Sequence, residues 1–386
     1  MMRYLSVFCF LLLVLLLTLV CYDVAVFLFE RYSHFHMGRW TSGQDWEKHI
    51  IRVCQKWVIK TPLLRLRKPC RYLLVDRLRG KYGKRMVQSW QKAGCLLGLE
   101  EMGDGKRWKE RLEHQLIAVN GAWNHPADKI DYAMISWALL KEERDPLKIK
   151  PAMDEMMACI RENICSDEMI SYSAGCQSSR RYVDTLGLVC PFLGEYGKKY
   201  ADPAQIELAF HQISSFRALG GIYEGLPYHC IDSAGMPLGI LGWGRGAGWY
   251  ALAQVDLYPY LDNPEHIASV KQWMTELAET LLQYERKDGG FSSLLQTVSP
   301  YDSSATAMLR YLYSKAYQFL KRMEYYEVAV RCCKKLMKKT KINGVVDECQ
   351  GDTIDIGVMS ERYAEMPFVQ GMTLRLFASL RCGREM

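Results

Sequence analysis

The sequence predicts an all-α protein, an (α/α)6 barrel of six helical hairpins preceded by an N-terminal transmembrane helix. Three observations predict it: helix starts marked by proline recur at a nearly constant spacing, a second apolar helix follows each of them, and the chain opens with a long apolar stretch. Strand-like alternation is nearly absent, apart from possible short hairpins around 225–236 and 290–297. We therefore divide the 386 residues into an anchor at 1–30, a basic lead-in segment at 31–85 and a barrel domain at 86–386.

The anchor is the stretch 5–29, which is almost wholly apolar, is interrupted by Asp23 and has Arg3 ahead of it. About 20 apolar residues suffice for a helix to cross a bilayer. A cleaved signal peptide is the alternative, but no cleavage site of small residues follows the leucine run. The pattern therefore favours an uncleaved, single-pass N-terminal anchor.

A basic segment follows the anchor. Between Lys56 and Arg85 there are eleven Lys or Arg residues against one acid, Asp76, a surplus larger than the net charge of +7 of the whole chain. Basic residues next to a membrane helix favour the cytoplasmic side, although part of this segment lies beyond the roughly 15–20 residues that count most. No nucleic-acid-binding motif accompanies the charge, so we expect no nucleic-acid partner.

A repeat emerges from the predicted helix starts. Asp145-Pro146, Asp202-Pro203 and Asn263-Pro264 each pair an N-cap residue with proline at the first helical position. The prolines are 57 and 61 residues apart (203 − 146 and 264 − 203), and about 60 more residues lead to a further amphipathic helix at Glu324. These helices are amphipathic, which predicts that they form the outer layer.

A second set of helices begins near Asp131, Asp184, Arg245, Ser303 and Pro367. They are apolar or small on most faces, and a helix that is apolar all round is buried. Closing about six such hairpins into a ring gives a barrel whose inner helices begin at one mouth. An open solenoid is the structural alternative. It explains the period, but not why the distinctive polar and aromatic residues collect where the inner helices start.

At these residues the chain resembles the unsaturated-uronyl hydrolases of glycoside hydrolase families 105 and 88, family 105 above all. The similarity runs from about Met86 to the C-terminus. Four motifs carry it: Tyr182-Val183-Asp184-Thr185-Leu186 with Pro191-Phe192, Leu226-Pro227-Tyr228-His229 with Asp232, Trp243-Gly244-Arg245-Gly246-Ala247-Gly248-Trp249, and Asp302-Ser303-Ser304-Ala305-Thr306-Ala307-Met308. The resemblance implies the (α/α)6 barrel that the repeat predicts.

The resemblance also implies roles for individual residues. Asp184 corresponds to the general acid/base, and Asp131 to a second essential carboxylate near the substrate. The positions that correspond to cleft-lining residues are His229, Trp243, Arg245 and Trp249. Two departures concern substrate preference: Tyr182 stands where the family usually has Trp, and Lys92, near Trp90, stands where it has a substrate-contacting Tyr. No metal and no cofactor is expected, because the eight His show no metal-ligand spacing.

The reaction implied by the resemblance begins on a sugar with a C4=C5 double bond, left by a polysaccharide lyase. A carboxylic acid protonates this vinyl ether, and a water activated by the same group adds to the adjacent carbon. The resulting hemiketal collapses, which opens the sugar and releases its neighbour. Such a group needs a pKa close to the working pH. We expect the aromatic surroundings and the like charge of Asp131 to raise the pKa of Asp184 against the pull of the helix N-terminus.

Each residue also has a structural interpretation. Asp184 and Asp131 suit helix caps, Arg245 suits an ion pair as well as bidentate capture of a uronate carboxylate, and His229 suits hydroxyl binding as well as catalysis. Two further functions stay open. One is an inverting glycosidase on the same barrel with Asp184 as acid and Asp131 as base. The other is a membrane-tethered carbohydrate binder whose catalytic site has drifted.

Overall fold

The computed structural model describes residues 2–62, 74, 89–172 and 179–384. The described part is mainly helical and contains thirteen α-helices. They are α1 Met2–Phe35, α2 Gly43–Ile59, α3 Ser89–Glu101, α4 Lys106–Leu116, α5 Tyr132–Lys141, α6 Lys150–Glu162, α7 Val183–Lys199, α8 Pro203–Ala218, α9 Gly244–Leu257, α10 Pro264–Leu282, α11 Ser303–Leu320, α12 Met323–Lys338 and α13 Pro367–Arg384. Two short 3-10 helices, Pro146–Ile149 and Tyr258–Tyr260, lie between them.

Six of these helices form a closed inner ring. In the order α3, α5, α7, α9, α11 and α13, each packs on the next, and α13 packs back on α3. At that seam the backbones nearly touch, because a Cβ on Gly371 would lie 1.8 Å from the carbonyl oxygen of Gly94. Only glycine permits this approach. The closed ring confirms the (α/α)6 barrel and excludes the open solenoid.

The inner helices begin where the sequence predicted, at residues 132, 183, 244, 303 and 367. They are buried on nearly all faces, and every residue of α9 is buried. Each inner helix from α3 to α11 leads through a short connection into an outer helix, which returns through a long loop to the start of the next inner helix, so all six inner N-termini lie at one end of the barrel. We call this end the mouth and the opposite end the far end.

The outer helices follow the predicted amphipathic pattern. In α10 the stripe Val270, Met274, Leu277 and Leu281 is buried, as expected from its spacing. The side chain of Asn263 caps this helix by accepting from the backbone N–H of Glu265. The corresponding aspartates before α8 and the 3-10 helix at Pro146 make no such bond. The further helix expected at 324 is α12, which begins one residue earlier.

Helix α2 lies ahead of residue 86, the predicted start of the barrel domain. Helix α2 packs on α3 and α13 and buries Trp46 completely and Trp57 almost completely, so it belongs to the barrel wall. It runs from the mouth, where Trp46 donates to Thr340, to the far end, where Gln55 meets Asp104. Its buried residues Trp46, Ile50, Val53 and Trp57 recur at three- and four-residue steps, the spacing of an amphipathic helix. The remainder of the basic segment, 63–88 apart from Leu74, lies outside the described residues.

Short strands shape the loops at the mouth. β1 Arg180–Tyr182 pairs with β4 Cys230–Asp232, β2 Ile222–Tyr223 with β3 Leu226–Pro227, and β5 Cys349–Gln350 with β6 Tyr363–Ala364, all antiparallel. The expected hairpin around 225–236 is therefore two strands with separate partners. Around 290–297 isolated bridges, such as Ser292 to Tyr301, replace the expected hairpin.

Helix α1 projects from this body. Its stretch Arg3–Phe35 has a mean hydropathy of 2.8 in its most apolar window, and none of that window is buried. Within the described residues it is the one helix long and apolar enough to cross a membrane. A signal sequence has the same properties, so length and composition alone do not choose between them.

Candidate active site

A cavity of about 390 Å³ opens at the mouth of the barrel. All seven residues that the sequence proposed for the site line it, together with Trp90, Tyr172, Leu188 and the loop 352–356. The seven are Asp131, Tyr182, Asp184, His229, Trp243, Arg245 and Trp249. They come from the starts of three inner helices, α5, α7 and α9, or from the loops before them, which is the convergence that a closed ring of helices produces. Ser303 and Ser304 do not line the cavity, because their hydroxyls bond to Asp347 and Asp302.

Asp184 lies in the first turn of α7 and is not its cap, since the N-cap position is Tyr182. Its side chain is 20% exposed, and its Oδ2 has no hydrogen-bond partner among the described residues. Burial raises the pKa of Asp184 to about 7, against the lowering by the charge of Arg245 and by a backbone hydrogen bond. A carboxyl with this pKa holds a proton at neutral pH and can donate it.

Asp131 occupies the N-cap position of α5, but its side chain makes no capping bond. Instead its Oδ1 accepts from the hydroxyl of Tyr172 at 2.6 Å. Burial raises the pKa of Asp131 to about 6, partly offset by that hydrogen bond. The capping interpretation of both acids therefore fails, because neither side chain caps its helix.

A third carboxylate, Asp352, lines the same cavity and was missed from the sequence. Burial raises its pKa, and the charge of Arg245 lowers it. Its negative charge raises the pKa of both Asp184 and Asp131. We expected the negative charge of Asp131 to raise the pKa of Asp184. The structure assigns this effect to the charge of Asp352. No helix start marks Asp352, which lies in a loop, so no periodic signal pointed to it.

His229 lies at the cavity wall with its Nε2 3.5 Å from Oδ2 of Asp184. Burial and the charge of Arg245 lower the pKa of His229 to about 4, so the ring is neutral at neutral pH. Its Nδ1 is buried with no hydrogen-bond partner among the described residues. Hydrogen bonds between its backbone and Val183 and Ile240 fix the position of the residue.

Arg245 is buried and its guanidinium bonds to the backbone of the loop that carries Asp352. Nη1 donates to the carbonyl of Gln350 at 2.5 Å, and Nη2 donates to the carbonyl of Gly351 at 2.7 Å. Its Cζ lies 5.0 Å from the centroid of the Trp243 ring, a cation–π distance. The expected capture of a uronate carboxylate stays a prediction, and the structure adds a second task, which is to hold this loop.

Aromatic rings surround the acids. Tyr182 stands edge-on to Tyr172 and tilted to His229, and Trp243 stands edge-on to the same histidine. Trp249 packs against Trp90 and Phe368. Trp90 lines the cavity. Lys92, which stands where the family has a substrate-contacting tyrosine, is not among the residues that line it. The aromatic wall supplies the burial that raises the pKa values of the carboxyls.

The family model of Glycosyl Hydrolase Family 88 matches residues 101–381, nearly three quarters of the chain. The chain belongs to this family. It is therefore a glycoside hydrolase from the group of unsaturated-uronyl hydrolases. The curated proteins gave no match.

Solved structures with the same fold place the family 88 chain among six-hairpin barrels. A possible member of family 105 from Salmonella enterica serovar Paratyphi A is 16% identical with a TM-score of 0.72, covering 89% of this chain and 96% of its own. A family 105 glycoside hydrolase from C. acetobutylicum is 15% identical with a TM-score of 0.66, covering 80% and 98%. An unsaturated glucuronyl hydrolase from Bacillus sp. GL1, responsible for the degradation of glycosaminoglycan, is 17% identical with a TM-score of 0.62, covering 89% and 97%. At these identities the likeness shows the fold alone.

Proposed function

We propose that this protein removes a terminal 4,5-unsaturated uronyl residue from oligosaccharides of rhamnogalacturonan type, and so acts in pectin degradation. The observation that carries the proposal is the Asp184 carboxyl: it faces the cavity, its Oδ2 has no partner among the described residues, and its pKa is about 7. The rhamnogalacturonan preference is supported by the four sequence motifs, which are most similar to family 105.

In the proposed reaction Asp184 gives its proton to C4 of the double bond. Positive charge then develops at C5 and on the ring oxygen, and the ionised carboxylate stabilises it at close range. The same carboxylate takes a proton from a water that adds to C5. Asp184 is then protonated again, and the hemiketal opens and releases the neighbouring sugar. One group acts twice, which its pKa near neutrality permits.

The other residues of the cavity support this chemistry. Neutral His229, next to Asp184, orients a hydroxyl or the attacking water. Asp131, held by Tyr172, binds the hydroxyls of the terminal sugar. The rings of Tyr182, Trp243 and Trp249 provide flat apolar faces for a sugar ring.

The test is a panel of unsaturated disaccharides that differ in the uronyl residue and in the neighbouring sugar. The C4=C5 group absorbs in the ultraviolet, so the proposed reaction abolishes that absorbance as it proceeds. The expected result is loss of absorbance with release of the neighbouring sugar, fastest when that sugar is rhamnose. An enzyme that leaves every panel member unchanged, with or without Asp184, would be the drifted binder instead.

An inverting glycosidase is the second candidate, because the two carboxyls differ in pKa. Asp131, at about 6, is the better base, and Asp184, at about 7, the better acid. Such an enzyme would release a saturated sugar or keep the double bond intact. Release of sugar without any loss of absorbance would favour it over the proposed reaction.

We also propose that α1 is an uncleaved membrane anchor and that the basic segment keeps the barrel on the cytoplasmic side. Protease treatment of spheroplasts and of inverted vesicles tests the side. Protection of the barrel in spheroplasts and digestion in inverted vesicles is the expected outcome. The reverse pattern would place the barrel outside the cytoplasm.

A further inference from the structure

The junction between the apolar helix and the barrel is docked at the mouth. The backbone N–H of Gly38 donates to the carbonyl of Thr340 at 2.9 Å, and the indole of Trp40 donates to the same oxygen at 3.2 Å. Nε2 of His34 lies 3.3 Å from a carboxylate oxygen of Asp347. Gly38 has φ +75°, and a Cβ there would lie 2.8 Å from the carbonyl of Lys338. Contacts this close fix the end of α1 on the barrel.

The loop that receives this junction also builds the rim of the cavity. It runs from 339 to 366, between α12 and α13. The carbonyl of Asp347 accepts from the hydroxyl of Ser303 at 2.6 Å, which ties the loop to the start of α11. Three residues later Gln350 is held by Asp302 and Arg245, and residues 352–356 line the cavity. The junction and the cavity opening therefore lie at the same end of the barrel.

The length of α1 limits how far this end can be from a bilayer. About 20 residues after Arg3 suffice to cross the hydrocarbon core, so the membrane boundary lies at Asp23 or later, and the apolar stretch itself continues to Phe29. The carboxylate of Asp23 accepts from the backbone N–H of Leu74, so a polar group of the protein meets the helix at this point. The thirteen residues from Asp23 to Phe35 span about 20 Å at the rise of an α-helix. The docked junction lies no farther than that from the membrane.

We infer that the cavity opens on the membrane side of the barrel and that the saccharides it receives are carried by the same membrane. The inference rests on the proposed anchor and reaction, and it specifies their substrate class: a lipid-linked glycan with an unsaturated uronyl end. A chain that enters the cavity with its reacting end leaves the mouth in the direction of the bilayer, where its other end is attached. The gap between the mouth and the bilayer is at most about 20 Å wide. A large soluble polymer enters such a gap with difficulty, whereas a glycan attached to the membrane already lies in it.

Chemical cross-linking to lipid tests the orientation without using activity. The full chain is placed in vesicles that contain phosphatidylethanolamine, with a short amine-to-amine reagent. Lys129, exposed just before α5 at the mouth, and Lys198, exposed in the last turn of α7 at the far end, are compared. We expect lipid adducts at least about fivefold more frequent on Lys129, in line with the effective concentration of a nearby surface. Equal labelling, or more on Lys198, would overturn the inference.

A flexible insertion tests the substrate class. Ten Gly and Ser residues between Met37 and Gly38 release the junction and leave the cavity residues untouched; thermal unfolding checks that the barrel stays folded. Wild type is expected to prefer a lipid-linked unsaturated disaccharide over its soluble form in kcat/KM, and the insertion to reduce that preference about tenfold without changing the soluble rate. Equal preference in both proteins would contradict the substrate class. Activity on neither form would refute the proposed reaction, while the cross-linking result would still decide the orientation.

Discussion

Two buried carboxyls, Glu101 at the far end of the barrel and Asp184 at the mouth, lie in opposite electrostatic settings. At the far end Arg375 donates to Asp256 through both terminal nitrogens, at 2.9 and 2.6 Å, and to Glu101 through Nε at 2.9 Å. Lys141 adds a second cation 3.0 Å from Glu101. Burial alone would raise the pKa of Glu101, but these charges outweigh it and lower the pKa to about 2. At the mouth burial prevails, and the pKa of Asp184 rises to about 7.

The difference separates acids that hold the structure from acids that are ready to react. Arg245 is buried like Arg375, but its described hydrogen bonds go to two backbone carbonyls and to the sulfur of Met366, and none reaches a carboxylate. The surroundings of Asp184 thus keep it protonatable, while the surroundings of Glu101 keep it ionised and paired. The position of one hydrogen-bonded cation decides which behaviour a buried carboxylate shows.

Replacing Asp184 by Asn tests the reactive end and has the largest expected effect. The amide cannot donate a proton to carbon, so kcat for loss of the double bond should fall about 10³-fold. Absorbance decay on the best disaccharide of the panel measures it. Asp256→Asn at the far end is the matched control and should keep its rate per folded molecule. A fall of less than about tenfold in Asp184→Asn would remove the proposed acid from the mechanism.

Removing the guanidinium of Arg375 should have the opposite effect, a loss of stability with little loss of activity. Arg375→Met leaves Asp256 and Glu101 buried without their main partner, which costs about 3–5 kcal/mol of unfolding free energy. Urea unfolding at pH 7 measures this loss. The activity of the fraction that remains folded should be nearly unchanged, because the cavity is at the other end. Unchanged stability would mean that the pairing at the far end contributes little.

The two ends should also respond oppositely to pH. Between about 3.8 and 7 the unfolded chain ionises Asp184 while the folded protein keeps it protonated, so this residue lowers stability as pH rises through that window. Asp184→Asn should therefore stabilise the fold by on the order of 2–4 kcal/mol at pH 8, and the gain should vanish toward pH 4. Glu101 does the reverse: its contribution is complete above about 4.5 and is lost as pH falls toward 2. Thermal unfolding of wild type and Asp184→Asn between pH 4 and pH 8 measures the stabilisation. An equal gain in stability at pH 4 and at pH 8 would contradict the prediction.

The smallest expected effect concerns Asp352. Because its charge raises the pKa of Asp184, Asp352→Asn should lower that pKa. Proton donation is lost as pH rises through the pKa, so the basic limb of the rate profile should move to lower pH. Asp131→Asn is the comparison variant. Because we attribute less of the raised pKa of Asp184 to Asp131 than to Asp352, this variant should move the basic limb less. A basic limb that moves only in Asp131→Asn would restore the original expectation.

The helical framework was largely predictable, because apolar periodicity, Asn263 at a helix start and the prolines are local signals that also decide burial. The same signals located Asp184, Asp131 and Arg245 at inner-helix starts. They could not find Asp352, whose place depends on contacts between Arg245 and a loop more than 100 residues away. Nor could they show that Arg245 donates to backbone carbonyls, because a sequence motif identifies a charged residue but not the groups that it contacts. Helix α2 was not predicted, because the basic residues that follow it favoured a lead-in segment.

The most direct test of the reaction is to run it in deuterium oxide and examine the released uronic sugar by nuclear magnetic resonance. Protonation of the double bond by a carboxyl that exchanges with solvent places one deuterium on the carbon that was C4. The account predicts a single deuterium there with wild type and turnover about 10³-fold slower with Asp184→Asn. Cleavage of the glycosidic bond without deuterium on that carbon would contradict it and make the protein an ordinary glycosidase.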